Sequence, residues 1–257
     1  MLRRLKSNAP RVADITSFQV SHSGESFAIN LIRSPTARRY TLRVRAATRD
    51  VVLTMPARGS LAQARAFAER HAAWVATRLQ RLPERTPFGP GEMLPLRGVL
   101  HRIVHVQGRA SPVWITAGDA HDAMAMPFLC VSGEPPHIAR RIRDFLIREA
   151  RRDLETAVSR HGMRLGLTAK RITLRDTTSR WGSCSASGSL NFSWRLIMAP
   201  GFVLDYLAAH EVAHLRHMNH SSAFWQVVAQ LTPDVDNAEA WLKAHGRELL
   251  RYEPGDC

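Results

Sequence analysis

The chain has 257 residues, 45% of them apolar and 23% charged, which fits a soluble globular protein with one large domain or two small ones. No apolar run approaches the roughly 18 residues of a transmembrane helix, and Met1–Ser7 carries positive charge with no apolar stretch behind it, so neither a membrane span nor a secretory signal is expected. Cys130, Cys184 and Cys257 are odd in number and far apart, which argues against a disulfide framework and for a reducing cytoplasm. The net charge of +14 fits a nucleotide or nucleic-acid partner reached through a basic surface, but 33 Arg against 3 Lys, spread along the whole chain, fits a coding bias equally.

Residues 1–24 are polar and without clear periodicity and read as a loose leader. Short strand-like runs follow at 27–32, 40–45 and 51–54. Ser60 can cap a helix to about Leu82 with Phe67, His71, Trp74, Val75 and Leu79 on one face. Pro83, Pro87, Gly89, Pro90 and Gly91 make a turn-rich connection before strand-like pieces at 94–106, 113–116 and 128–131. Residues 25–135 thus form a strand-rich N-terminal portion with one helix. The pattern changes near Pro135-Pro136, and residues 136–257 are expected as a separate, mainly helical domain, giving an α+β fold overall.

That second portion opens with a long amphipathic helix from about Pro136 to Arg160, left through Gly162 and Gly166. Strands at 171–175 and 190–196 follow, with a turn at 185–188 between them, and they form a hairpin with an open edge. Pro200 suits the first position of the next helix, Ser221 caps another to Leu231, and Asp236 with Glu239 forms a capping box for the last.

The next helix carries His210-Glu211-Val212-Ala213-His214. Residues four apart stand one turn apart on one helix face, so both imidazoles can reach one zinc ion at roughly 2.0–2.1 Å. Glu211 can hold a metal-bound water and take its proton without being a ligand. The third ligand is read as His220, six residues past His214, provided the chain turns back at Asn219 in a left-handed conformation. His217 would lie about 10 Å along the axis from His210 on an unbroken helix, a poor fit to one tetrahedral ion. Glu239 is a further alternative, although its capping position already explains it.

The blocks Ser179-Arg180-Trp181-Gly182-Ser183-Cys184-Ser185, Asn191-Phe192-Ser193-Trp194-Arg195-Leu196, Leu204–His214, Asn219-His220-Ser221 and Phe224-Trp225 together resemble the YgjP-like metallopeptidase family, a bacterial group related to the SprT-like zinc proteases. The resemblance covers about residues 25–250. It implies a zincin-like catalytic domain with His210, His214 and His220 as zinc ligands and Glu211 as base. Val212 stands where the family usually has Leu, an apolar exchange.

Arg180, Trp181 and Arg195 flank the expected hairpin and are candidate substrate-binding residues, with an ion pair or surface charge as the plain alternative for the arginines and core packing for the tryptophan. Cys184 reads as a small packed thiol. Tyr206, four before His210, faces the same side of its helix. Three functions remain open: a metallopeptidase acting on peptide or protein, a phosphoanhydride hydrolase acting on a nucleoside triphosphate such as UTP, and a DNA-associated protease or nucleic-acid-binding module with a structural zinc. Three protein ligands and an adjacent carboxylate favour a catalytic site.

Overall fold

A computed structural model describes residues 16–45, 49–82, 84–108, 111–118, 126–177 and 180–253. Residues 1–15 of the expected leader, Ser179 and Cys257 lie outside them. Among the described residues no helix is long and apolar enough to cross a membrane. The fold is α+β, and its contacts divide it into two compact units that part at Leu82–Pro83.

The first unit is a four-stranded sheet with two helices. Strands β1 (Ser17–His22), β2 (Glu25–Ser34), β3 (Thr41–Val44) and β4 (Val51–Pro56) lie in the order β1-β2-β4-β3. β1 runs through the second half of the stretch expected as a loose leader. Its alternation, with Phe18 and Val20 buried, is only a few residues long and is hidden among polar neighbours. It returns into β2 through Ser23 and Gly24 at φ of 49° and 84°, the left-handed pair of a tight hairpin turn.

The single helix expected from Ser60 is two: α1 (Leu61–Arg70) and α2 (Ala72–Gln80), broken at His71. Ser60 stands at the cap position without a side-chain cap bond. The buried face is carried mainly by Ala64, Ala68, Ala72, Val75 and Ala76, while Trp74 is exposed. Small side chains let the helices lie close to Ile29, Leu53 and Met55 of the sheet.

The second unit begins with a short strand β5 (Thr86–Pro87) and a four-stranded sheet: β6 (Met93–Leu96), β7 (Val99–His105), β8 (Val113–Thr116) and β9 (Phe128–Val131), in the order β6-β7-β9-β8. Arg97 and Gly98, both at positive φ, close the β6–β7 hairpin. The sequence division near Pro135 therefore does not coincide with the division in contacts. Leu94, Ile103, Leu129 and Val131 join one apolar core with Ile142, Leu146 and Leu154 of helix α3 (Ile138–Leu165), so this sheet is built into the helical unit. α3 ends on Gly166 in the left-handed conformation, as the glycine there implies.

Three strands follow, β10 (Arg171–Arg175), β11 (Gly182–Cys184) and β12 (Ser189–Ser193), in the order β10-β12-β11. The expected hairpin is corrected in one respect. β10 and β12 are parallel, and the hairpin is β11–β12, turning at 185–188 through Gly188 at φ 78°. β12 ends at Ser193 and the chain continues as a fully buried 3-10 turn, Trp194–Met198. Helix α4 (Gly201–Ala213) then enters the core, with Pro200 as its cap residue and not its first turn.

α5 (Ser222–Leu231) and α6 (Val235–His245) complete the helices. A second 3-10 segment (Gly246–Arg251) leads to β13 (Tyr252–Glu253), which pairs with β5. α6 begins at Val235 after Asp234, so the Asp236–Glu239 capping box does not form.

Candidate metal centre

α4 is apolar on almost every side, with Val203, Leu207, Ala208, Ala209, Val212 and Ala213 buried. A polar group on such a helix must find partners or an ion. His210, Glu211 and His214 are the polar groups in question. His214 is buried and Glu211 is only 4% exposed.

His220 joins them. One nitrogen from each of His210, His214 and His220 lies within 4.8 Å of the others, the one such trio of potential metal ligands among the described residues that belongs to a common cluster. The Nε2 atoms of His210 and His220 are 3.2 Å apart. His217, the alternative, turns its backbone and not its ring to the site: its carbonyl accepts from His214 Nδ1 at 3.0 Å.

The return of the chain differs from the expected left-handed Asn219. No residue between His214 and His220 has positive φ. Instead the helix tightens at its end, with Leu215 N donating to Val212 O and Arg216 N to Ala213 O, both at 3.0 Å. Short i→i+3 bonds use up the last carbonyls and stop the helix without a glycine. Ser221 then caps α5 by accepting from Phe224 N at 3.5 Å. This cap fixes His220 just ahead of a helix whose first turn carries Phe224 and Trp225.

Those two aromatic rings pack the imidazoles. Phe224 stacks on His214 with centroids 4.5 Å apart and meets His210 edge-on at 5.0 Å. Trp225 stacks on His220 at 5.8 Å. The contiguity of His220, Ser221, Phe224 and Trp225 in sequence thus has one cause: a candidate ligand, a cap and two ring supports lie together.

The outward nitrogens are also engaged. Tyr206 Oη donates to Glu239 Oε1 at 2.7 Å, so it is left to accept from His210 Nδ1, 3.4 Å away. His214 Nδ1 is held by the His217 carbonyl. With Nδ1 engaged on both helical histidines, Nε2 faces the shared space. Glu239, on α6, is therefore a partner of Tyr206 and stands behind the trio. Tyr206 has its hydroxyl pKa driven upward by burial and then by Glu239, which keeps it a neutral donor.

Burial, followed by the neighbouring histidines, lowers the pKa of His210 to about 4. Burial lowers that of His214 as well. Both are neutral near pH 7, the form that binds a metal. Burial raises Glu211 to about 7, opposed by the charge of Arg180. Glu211 Oε2 is buried with no hydrogen-bond partner. An orphan carboxylate oxygen beside three converging imidazole nitrogens fits a site for a divalent cation and a polarised water.

Gly182 on β11 sits against Glu211: a Cβ there would come within 2.9 Å of Glu211 Cγ and Cδ. Trp181 and Gly182 line, with His210, Glu211, Asp236 and Glu239, a cavity of about 680 Å³ beside the metal trio. Arg180 and Trp181 border an adjoining cavity of about 510 Å³. Both of these candidate residues are thus beside the cleft.

Arg195 is not. It is 2% exposed and pairs with Asp176 at 2.7 Å, donates to the carbonyls of Leu249 and Tyr252, and lies over the Trp194 ring. It is a structural ion pair that ties β12 to the C-terminal segment, because a guanidinium in the core needs all its donors filled. Cys184 is half-buried with its thiol pKa raised by burial and by Glu211, against a role as thiolate. The contribution of Gly182 and the Tyr206–Glu239 pair have no signal in the sequence, because they depend on β11 and α6 meeting α4.

No curated protein matches the chain significantly. Among solved structures, the metallopeptidase zymogen abylysin of Pyrococcus abyssi is similar at 21% identity and a TM-score of 0.33, over 39% of this chain and 98% of that one. The profile of the YgjP-like metallopeptidase domain matches residues 38–245, a span that holds every residue of the trio, Glu211 and the cleft walls just described, and the chain belongs to the YgjP-like metallopeptidase family.

Proposed function

We propose that this chain is a zinc-dependent peptidase, with His210, His214 and His220 as the zinc ligands and Glu211 as the general base. The observation that carries the reading is the convergence of three imidazole nitrogens within 4.8 Å beside a buried carboxylate oxygen that has no other partner. A bound zinc ion supplies Lewis acidity there, polarising a carbonyl and easing deprotonation of water. Glu211 removes the proton from the attacking water and returns it to the departing amine. A carboxyl brought to about 7 by burial is matched to both tasks near neutral pH. Tyr206 and Glu239 hold the His210 ring in one orientation. β11 is the outer strand of its sheet and only half-buried, so its free edge suits pairing with an extended peptide that passes the metal trio.

The test is a side-by-side assay of the full chain on quenched casein and on UTP. Casein should be cleaved after zinc loading, cleavage should stop on chelation and return with zinc, and Glu211→Gln should lower it by roughly 10²–10⁴-fold. Turnover of UTP without any peptide cleavage would assign the site to phosphoanhydride hydrolysis instead.

A further inference from the structure

Several arginines of the second unit are neutralised by carboxylates. Arg97 binds Asp153 and Glu149, Arg160 binds Asp205, and Arg195 binds Asp176. The cations around the cavity adjoining the metal cleft have no such partner, and they gather in one space. Arg180, Lys243 and Arg247 all line this space of about 510 Å³, and among the described residues none of the three has an ion pair or a side-chain hydrogen bond. They come from three places in the chain: the β10–β11 connection, the last turn of α6, and the 3-10 segment after it. Trp181, Leu242 and Lys243 line both this cavity and the one beside His210 and Glu211, so the two share a wall. Trp181 is seated by Gly246, where a Cβ would come 3.3 Å from the indole.

A plainer account exists for one of the three. Lys243 in the last turn of α6 complements the helix dipole. Arg180 gains nothing from that dipole, yet it faces the same space, and its charge reaches Glu211. Three unpaired cations around one concavity raise each other's energy, and a bound anion relieves all three. The metal cleft is lined by Asp236 and Glu239, on the same helix as Lys243, so charge changes sign along this face, acidic near Tyr206 and basic towards Arg180 and Arg247.

We propose that Arg180, Lys243 and Arg247 form a carboxylate-binding subsite that selects peptides with acidic residues on one side of the scissile bond. This rests on the peptidase reading and adds the substrate class to it. The carboxylate can be an Asp or Glu side chain or the end of the substrate chain, and both satisfy the same three donors. A peptide is favoured over a nucleic acid as the anion's bearer because the subsite adjoins the metal cleft, where phosphodiester charge would meet Asp236 and Glu239.

The experiment uses internally quenched decapeptides, identical except for Asp, Ala or Lys on each side of the cleavable bond, with amidated ends and one free-acid version. Turnover by the zinc-loaded full chain is measured. Binding of the same peptides to zinc-loaded Glu211→Gln protein is measured in parallel, which needs no turnover. Asp peptides should be preferred over Ala peptides, and Ala over Lys, by about two- to fivefold per cation engaged, the scale of an exposed ion pair. The pair Lys243→Glu and Arg247→Glu should reverse that order, an inversion that misfolding cannot produce, with zinc content as the folding control. A preference for the free acid alone would assign the carboxylate to the chain end. Equal binding of all peptides, or an order unchanged in the charge-reversed protein, overturns the proposal, as does tighter binding of a single-stranded oligonucleotide than of the Asp peptide through the same residues. Cleavage without charge preference would overturn the subsite and leave the peptidase reading standing. Charge-selective binding without cleavage of any peptide would do the reverse.

Discussion

Gly182 and Glu211 are packed so closely that no other residue fits at 182: a Cβ would lie within 2.9 Å of both Cγ and Cδ of the glutamate. Glu211 is only 4% exposed and cannot swing away without disturbing α4. The strand therefore sets where the Glu211 carboxyl stands. Gly182→Ala is expected to lower peptide turnover by at least about tenfold while zinc content stays near that of the unaltered protein, because no ligand is touched. A variant with full activity would separate the position of Glu211 from β11.

The Tyr206 hydroxyl links His210 to Glu239 across two helices. Tyr206→Phe keeps the ring packing and removes the link, and should weaken zinc binding by about 10–100-fold, the usual cost of losing a partner behind a ligating histidine. Competition with a chromophoric chelator measures it. Glu239→Gln still accepts from Tyr206 and should lose less. Equal and large losses in both would mean that Glu239 touches the metal itself.

Glu211 also predicts a pH dependence of the metal-free protein. Its carboxyl is raised from 4.5 to about 7, so the folded state resists its ionisation. Stability from the neutral form is present in full below about 4.5, is lost as pH rises towards 7, and does not change further above that. Metal-free Glu211→Gln should therefore match the unaltered protein at pH 4.5 and exceed it at pH 8, by up to about 3 kcal/mol at 1.36 kcal/mol per pKa unit. Urea denaturation at the two pH values checks this, and the difference between the two proteins cancels the opposite contribution of His210.

Arg195→Ala should destabilise the second unit by roughly 3 kcal/mol, since it strands two carbonyls and the Asp176 partner of a buried guanidinium. Chemical denaturation gives the loss. The folded remainder should keep its zinc, because Arg195 takes no part in the cleft.

The convergence of His210, His214 and His220 beside Glu211 was legible because i, i+4 spacing on a helix is a local rule, and His220 followed from a fixed step beyond it. α5 was legible through Ser221, whose side chain makes the expected cap. What escaped depends on contacts distant in sequence. The arginines at 180 and 195 look alike in sequence, and only the fold buries one against Asp176 while leaving the other at a cavity. β1 was read as leader because six residues with two buried side chains give too short an alternation. The division near Pro135 followed a change of periodicity, but the strands at 93–131 find their apolar partners on α3, and periodicity does not name partners. The capping box at Asp236 failed because α6 starts two residues earlier, which freed Glu239 to accept from Tyr206.

The central claim is that His210, His214 and His220 bind one zinc while Glu211 only moves a proton. Elemental analysis of the full chain and three variants, after zinc loading and gel filtration, tests it directly. About one zinc per chain is expected for the unaltered protein, for Glu211→Gln and for Glu239→Ala, and a loss of most of the metal for His220→Ala. Zinc retained by His220→Ala and stripped by Glu239→Ala would contradict the ligand set and move the third ligand to α6.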